Sequence, residues 1–350
     1  MKRKNLRNSF AALLEGAAAR LRGDSESARG AEVTVSQSAP APDRNEAVVA
    51  ECDRPIERPV VAPSPASQLH QRATRRAARL RSDPDRTQER VDELREYMVD
   101  NVDDGERLVC QRQNSCRASI DPGQVTFHGG QLSHVGKHYD LSDGYMSWRV
   151  LVIAMETGRE REHVTLEQRR EEVAASADTT FQGRNPHMRG TASALRLAYG
   201  GEPGRDRAGE LLRLENESRP VHIFDAYAMI NVRLCSAVVR GTTTSRGTKT
   251  MSQNCFPHLR KSVEILEPDF VIFQGKGARR DLGGLIRTIG AEGGLERATI
   301  GNHQTLLATL NHPSAQRAIH NWGQTDRQEY LLSTVMPTIR EARRRHLGRD

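Results

Sequence analysis

Five cysteines stand in this chain, and four of them fall into two pairs. Cys110 and Cys116 lie close together; Cys235 and Cys255 come far downstream, each near the end of an apolar segment. Cys52 stands apart in a stretch rich in Pro and Ala. Four thiolates can hold an iron–sulfur cluster or a zinc ion. His128, His134 and His138, between the two pairs, keep a mixed Cys/His zinc site open as well. Three further groups have types suited to catalysis. Asn231 carries a carboxamide that donates and accepts. His312, in His312-Pro313-Ser314, can donate to an anion as it forms. Glu156, in Ala154-Met155-Glu156-Thr157-Gly158, is a carboxylate able to orient or deprotonate water.

Elements must bring these groups together. Val150 to Ile153, Val221 to Ile230, Phe270 to Phe273 and Thr305 to Leu310 are short apolar runs that read as buried strands. Between them, His163 to Ser176, Pro186 to Tyr199, Ser252 to Leu266 and Lys276 to Ile289 read as helices. Strands alternating with helices predict a parallel sheet covered on both faces, with its ligand beyond the carboxyl ends of the strands. Residues 154–158, Asn231, Gly275 and His312 to Ser314 all fall at such ends.

Upstream, Arg22 to about Ser67 is rich in Ala, Pro, Ser, Arg and Glu and has no sustained period, which predicts disorder. Residues 66–99 predict one or two helices, broken at Pro84, with Val91, Leu94 and Met98 at helical spacing. The arginines at 75, 76, 79 and 81 read as a solvated face or as a DNA-contacting arm.

The chain has 350 residues, a formal net charge of +7 and only 4% aromatic residues, so the core must be mainly aliphatic and a polyanionic partner is favoured. No apolar run is long enough to span a membrane, and Phe10 to Leu14 is too short for a secretory signal. A cytoplasmic, reducing setting is therefore expected, where paired cysteines serve metals more often than disulfides. Neither G-x4-G-K-[ST] nor G-x-G-x-x-G occurs in a nucleotide-binding position.

From about Cys110 to Trp322 the chain resembles the uracil-DNA glycosylase superfamily, and most of all its iron–sulfur (family four) branch. Four stretches carry the resemblance. Ile230-Asn231-Val232-Arg233-Leu234-Cys235 is similar to that branch's strand end, where an asparagine precedes a cluster cysteine by four positions. Cys255-Phe256-Pro257-His258-Leu259 is similar to its C-x-P-x-L helix start, and Leu266 to Gly275 to the proline, apolar strand and glycine that follow. His312-Pro313-Ser314 resembles the H-P-S motif. Cys110 and Cys116 fall where the branch has its first cysteine pair.

The resemblance implies hydrolysis of the N-glycosidic bond of an everted base. It implies Asn231 on the base edge, His312 on the departing base, Ser314 on a phosphate, and Cys110, Cys116, Cys235 and Cys255 on a 4Fe–4S cluster. Three departures are visible. Met155 stands where the branch has its acid, and Glu156 where another branch has an asparagine that positions water. Gly158 keeps the motif's last glycine, but its proline is gone. Arg184 to Thr191 replaces P-F-V-G-R-A-G, so His187 or Met188 must fill the place of the phenylalanine that stacks on uracil. The first pair is C-x5-C rather than C-x2-C.

The reading is thus a three-layer αβα fold with a central, mostly parallel four-stranded sheet. Residues 1–67 form a basic arm, 68–105 a helical extension and 106–350 the glycosylase-like domain. The expected function is excision of a deaminated base, uracil first, from DNA during base excision repair, by a monomer with Glu156 and His312 as catalytic residues. A non-catalytic iron–sulfur module that binds nucleic acid on the same fold is the alternative.

Overall fold

The computed structural model describes residues 80–158, 161–317 and 319–348. The arm at 1–67 with its expected disorder, Cys52, and residues 68–79 of the helical extension lie outside the described residues.

A seven-stranded sheet organises the rest. Its strands are β1 (His134–Val135), β2 (Val150–Ala154), β3 (Tyr227–Asn231), β4 (Phe270–Gln274), β5 (Ile286–Glu292), β6 (Leu295–Ile300) and β7 (His303–Leu310), in the order β5-β6-β7-β4-β2-β3-β1. The four strands expected from apolar runs, β2, β3, β4 and β7, are parallel neighbours at its centre. The count of four is nevertheless too low. Antiparallel β1 closes one edge, and the β5–β6 hairpin closes the other.

Continuous burial explains why the centre forms. Every residue of β2 and β4 is buried, as a strand covered on both faces requires. Alternation then sorts side chains into two cores. Val150, Val152, Tyr227, Phe270, Ile272 and Ala308 pack with the Pro186–Ala198 and Met336–Leu347 helices. Leu151, Ile153, Ala228, Ile230, Val271 and Leu307 pack with the Pro84–Asn101 and Phe256–Leu266 helices. Each such aliphatic side chain contributes about 1.5–3 kcal/mol when fully buried. The Pro84–Asn101 helix starts where Asp83 accepts from the Arg86 amide and Pro84 presets the first turn. It buries Val91, Leu94 and Met98, the residues at helical spacing.

Three segments differ from expectation. The helix predicted for Lys276 to Ile289 ends at Asp281, and Ile286 begins β5. Gly293 and Gly294, with φ of 61° and 81°, turn β5 into β6. Two successive positive φ values suit a tight hairpin that follows the right-handed twist of strands. The strand predicted from Val221 to Ile230 is broken by a short helical turn at Ile223–Asp225, and β3 starts at Tyr227. The helix predicted from Ser252 to Leu266 is two helices, Lys249–Asn254 and Phe256–Leu266, that meet at Cys255. No described helix is long and apolar enough to cross a membrane.

Candidate functional site

One row of residues crosses the carboxyl ends of the parallel strands. Ala154 is opposite Asn231, and Gln274 is opposite Leu310. Because Phe273 pairs with Ile153, Gln274 falls beside Ala154. Two carboxamides therefore flank one alanine on the face that carries the Pro186–Ala198 helix. Asn231 is half-buried, while Gln274 is fully buried and its amide reaches the Thr191 hydroxyl of that helix at 3.0 Å. One turn earlier on the same helix stands His187, whose ring centroid is 5.7 Å from that of His312. His187 Nε2 is buried and has no hydrogen-bond partner. Desolvation, with a smaller contribution from His312, lowers its pKa to about 4, so the ring is neutral.

The His312 loop is buttressed from three sides. The Trp322 indole donates to the Asn311 carbonyl at 2.7 Å, and the Trp322 and Gly323 amides donate to the Pro313 carbonyl. Gly190 meets Pro313 so closely that a Cβ there would lie 2.6 Å from the proline ring, which accounts for a glycine inside that helix. On the third side Gly275, with φ of 136°, turns away from β4 beneath His312. His312 itself is exposed, yet desolvation lowers its imidazole pKa. The Ser314 amide donates to His312 Nδ1 at 3.2 Å, and the Ser314 hydroxyl lies 2.7 Å from the same atom. An amide N–H can only donate, so Nδ1 is the acceptor and the ring proton sits on Nε2. His312 thus presents an N–H donor outward. Ser314, expected on a phosphate, is engaged in fixing that tautomer.

Glu156 is placed differently from the expectation that it faces water and a sugar. Its Oε1 accepts from Arg233 at 2.8 Å and from the Gly247 amide at 2.9 Å. Its Oε2 is buried without a partner and lies against Gly247, 2.3 Å from where a Cβ would be. Arg233 also bonds Ser252 and Asp281. Burial raises the Glu156 pKa, against the opposing pull of Arg233 and the Gly247 amide. The carboxylate is therefore drawn to the 245–247 loop by a buried guanidinium. Met155 approaches Gly277, and Gly158 abuts the Thr243 carbonyl, where a Cβ would overlap at 1.9 Å. The 154–158 loop is packed between two neighbours rather than open. Asp225 and Tyr227 are framework: the Asp225 carbonyl accepts from the His138 amide, and Tyr227 is fully buried against His134 and Phe224.

The four paired cysteines come together. All are free thiols, Cys110 half-buried and the other three buried. Each of the six pairs among them is close enough for one charge to shift the other's titration. Three of the sulfurs have an N–H donor of their own, and the fourth lies beside an imidazole nitrogen. The Gly130 amide serves Cys235, and the Leu234 amide serves Cys255. Asn254 Nδ2 is 3.3 Å from Cys116 Sγ, and His258 Nε2 is 3.7 Å from Cys110 Sγ. Burial pushes the Cys255 thiol up to about 12 and raises Cys116 and Cys235 too. Such thiols ionise only beside compensating positive charge. Four cysteines with N–H donors at three of their sulfurs are a donor set that suits a cluster whose sulfurs are hydrogen-bonded. Among the described residues no three His, Cys, Asp or Glu side chains are arranged to hold a metal ion. His134 and His138, considered for zinc, bond the Phe224 carbonyl and Ser82 instead.

Asn231, His187 and His312 thus share one end of the sheet, and the cysteines gather beside the loop that follows Asn231. Gln274, Arg233 and His258 were not singled out beforehand. Gln274 ends an apolar strand, which was the available signal. Nothing in the spacing of Arg233 announces a partner 77 residues away. Surface cavities of about 380 and 210 Å³ lie elsewhere, against Arg297, Leu306 and Arg345. No protein-family model matches the chain, and no curated protein matches it.

Proposed function

We propose that the chain is an iron–sulfur DNA glycosylase with a three-layer αβα domain, hydrolysing the bond between a deaminated base and its sugar. One observation carries the reading: four thiols, distant in sequence, lie near enough to shift one another's titration, three with an N–H donor and Cys110 with His258 Nε2 at 3.7 Å, close to the strand end that holds Asn231. Cys110, Cys116, Cys235 and Cys255 would hold a 4Fe–4S cluster. Its role is to pin the loop after Asn231 to the segment around Cys110.

An everted base would approach Asn231 at the carboxyl ends of the parallel strands, beside Ala154. Asn231 reads its edge through a paired donor and acceptor. His187 supplies a neutral imidazole face for stacking. As the bond breaks, positive charge develops on the sugar and negative charge on the base. His312 Nε2–H donates to that developing anion. Water completes the hydrolysis. Arg233 neutralises Glu156, whose part is to hold the 154–158 and 245–247 loops in register. Exposed Arg240, Arg246 and Arg317 on loops, and Lys249, Lys276 and Arg280 on two short helices, suit the phosphates of DNA.

The pH dependence follows from the tautomer. Because desolvation lowers the His312 pKa, the ring gains its proton at lower pH than an ordinary histidine does. Protonation would fill Nδ1 and break the contact from the Ser314 amide. Single-turnover excision is therefore expected to lose half its rate at a pH below the ordinary histidine value of about 6.5. Half the rate lost already at pH 6.5 would mean an unshifted histidine.

The function is tested with anaerobically prepared protein, assayed for iron and sulfide and incubated with uracil- and hypoxanthine-containing oligonucleotides, then alkali. Scission at the modified base is the expected result. The neutralised Glu156 favours a second reading, a module that binds without cutting. Stable DNA retention without scission would support that reading, and neither retention nor scission would overturn both.

A further inference from the structure

Cys110 differs from the other three thiols at the centre. It is half-exposed where they are buried, and its donor belongs to a two-residue chain. His258 Nε2 lies 3.7 Å from Cys110 Sγ, and His258 Nδ1 lies 3.0 Å from the Tyr97 hydroxyl. The Tyr97 and His258 rings meet at 5.9 Å between centroids, tilted by 57°. His258 is one helical turn past Cys255, so the Phe256–Leu266 helix sets it beside the sulfurs. Tyr97 comes from the other side, on the Pro84–Asn101 helix.

Two proton arrangements satisfy this chain when Cys110 is a neutral thiol. In one, sulfur donates to Nε2 and Nδ1 donates to the phenol oxygen. In the other, the phenol donates to Nδ1 and Nε2–H donates to sulfur. A thiolate ligand has no proton to give, so only the second arrangement remains once Cys110 binds iron.

We infer that Tyr97 and His258 form a relay that donates an N–H to the Cys110 thiolate, stabilising the most exposed ligand of the cluster and setting the cluster's potential. This rests on the cluster reading above. His258 is a positioning residue, acting through Cys110, and Tyr97 acts through His258 by fixing its tautomer. When the cluster accepts one electron from a reductant such as dithionite, its negative charge grows by one. A donor to the thiolate favours that more negative state and raises the potential. The same bond slows departure of the ligand that solvent reaches most easily.

The test uses the full chain loaded with iron and sulfide. His258→Phe fills the space without a donor, His258→Gln keeps an N–H, and Tyr97→Phe removes the anchor. For His258→Phe the midpoint potential in a dithionite titration is expected to move to more negative values. Loss of visible absorbance to a ferrous chelator is expected to speed up by roughly 10–100-fold. His258→Gln should fall between that variant and wild type, and Tyr97→Phe should shift the same way by less. If His258→Phe does not fold, the other two variants carry the measurement. Loaded variants with wild-type potential and bleaching rate would overturn the relay and leave the cluster standing. Wild-type protein that takes up neither iron nor sulfide would overturn the cluster itself, and the relay with it.

Discussion

His312→Ala is expected to slow the proposed base excision by about a hundredfold under single-turnover conditions, because one donor to a developing anion is worth about 3 kcal/mol at the transition state. The argument starts from the backbone. The Ser314 amide must donate, so His312 Nδ1 must accept, and the proton is left on Nε2 where the loop presents it. That donor matters little while the base is neutral and much more once it carries charge. Affinity for the modified oligonucleotide should therefore stay near wild type while the rate falls. The loop itself should survive, since Trp322, Gly323 and Gly190 hold Asn311 and Pro313 without help from the imidazole. Ser314→Ala is the companion experiment. It removes the hydroxyl at 2.7 Å but keeps the amide donor, so the tautomer persists. A loss of about fivefold is expected there, equivalent to one neutral hydrogen bond of about 1 kcal/mol. An unchanged rate in His312→Ala would remove the residue from the mechanism. A larger loss in Ser314→Ala than in His312→Ala would return Ser314 to the phosphate.

The parts legible in the sequence were those set by local pattern. Continuous apolar runs marked β2, β3, β4 and β7, because a strand buried on both faces cannot afford polar residues along its length. Edge strands carry no such mark. In β5 only Ile286 is buried, so the segment reads as a polar continuation of the helix before it. β1 has two residues, too few for any period. The same division holds at the site. Asn231 and His312 are found from strand ends, since topology alone carries those ends to one side of a parallel sheet. The contacts of Glu156 were not legible, because its direction depends on Arg233, two residues past a different strand, and on the Gly247 amide of a third segment. The donors to the cysteines show the extreme of this. Gly130, Leu234, Asn254 and His258 come from three separate segments, and each meets its sulfur only after the chain has folded.

Glu210→Ala is expected to destabilise the domain by about 3–5 kcal/mol, although Glu210 belongs to neither the proposed base site nor the cysteine group. The cost arises because truncation leaves a buried charge without a partner. Arg184 and Glu210 side chains are 1% and 3% exposed and meet through two bonds of 2.7 Å. His222 joins them. Its Nδ1 accepts from the Phe224 amide, so its Nε2 carries the proton and donates to Glu210 at 3.0 Å. Arg184 also donates to the Ser176 and Ala177 carbonyls at the end of the Leu166–Ala177 helix. The next residue, Asn185, caps the helix that carries His187 and Thr191. One guanidinium thus joins the end of one helix to the start of another. A fall in melting temperature of about 10 °C is expected, at about 2–4 °C per kcal/mol for a domain of this size. Replacing both Arg184 and Glu210 by leucine should cost less than Glu210→Ala, since no charge is then stranded. Acid should mimic the single variant. Burial alone would raise the Glu210 carboxyl, but His222 and Arg184 hold it down at about 2. Its stabilising effect is therefore complete above the ordinary carboxylate value near 4.3 and is lost as pH falls from there toward about 2. Unfolding followed across that window should show wild type losing stability faster than the double-leucine variant. Parallel losses in the two proteins would mean that the ion pair contributes nothing beyond the volume it fills.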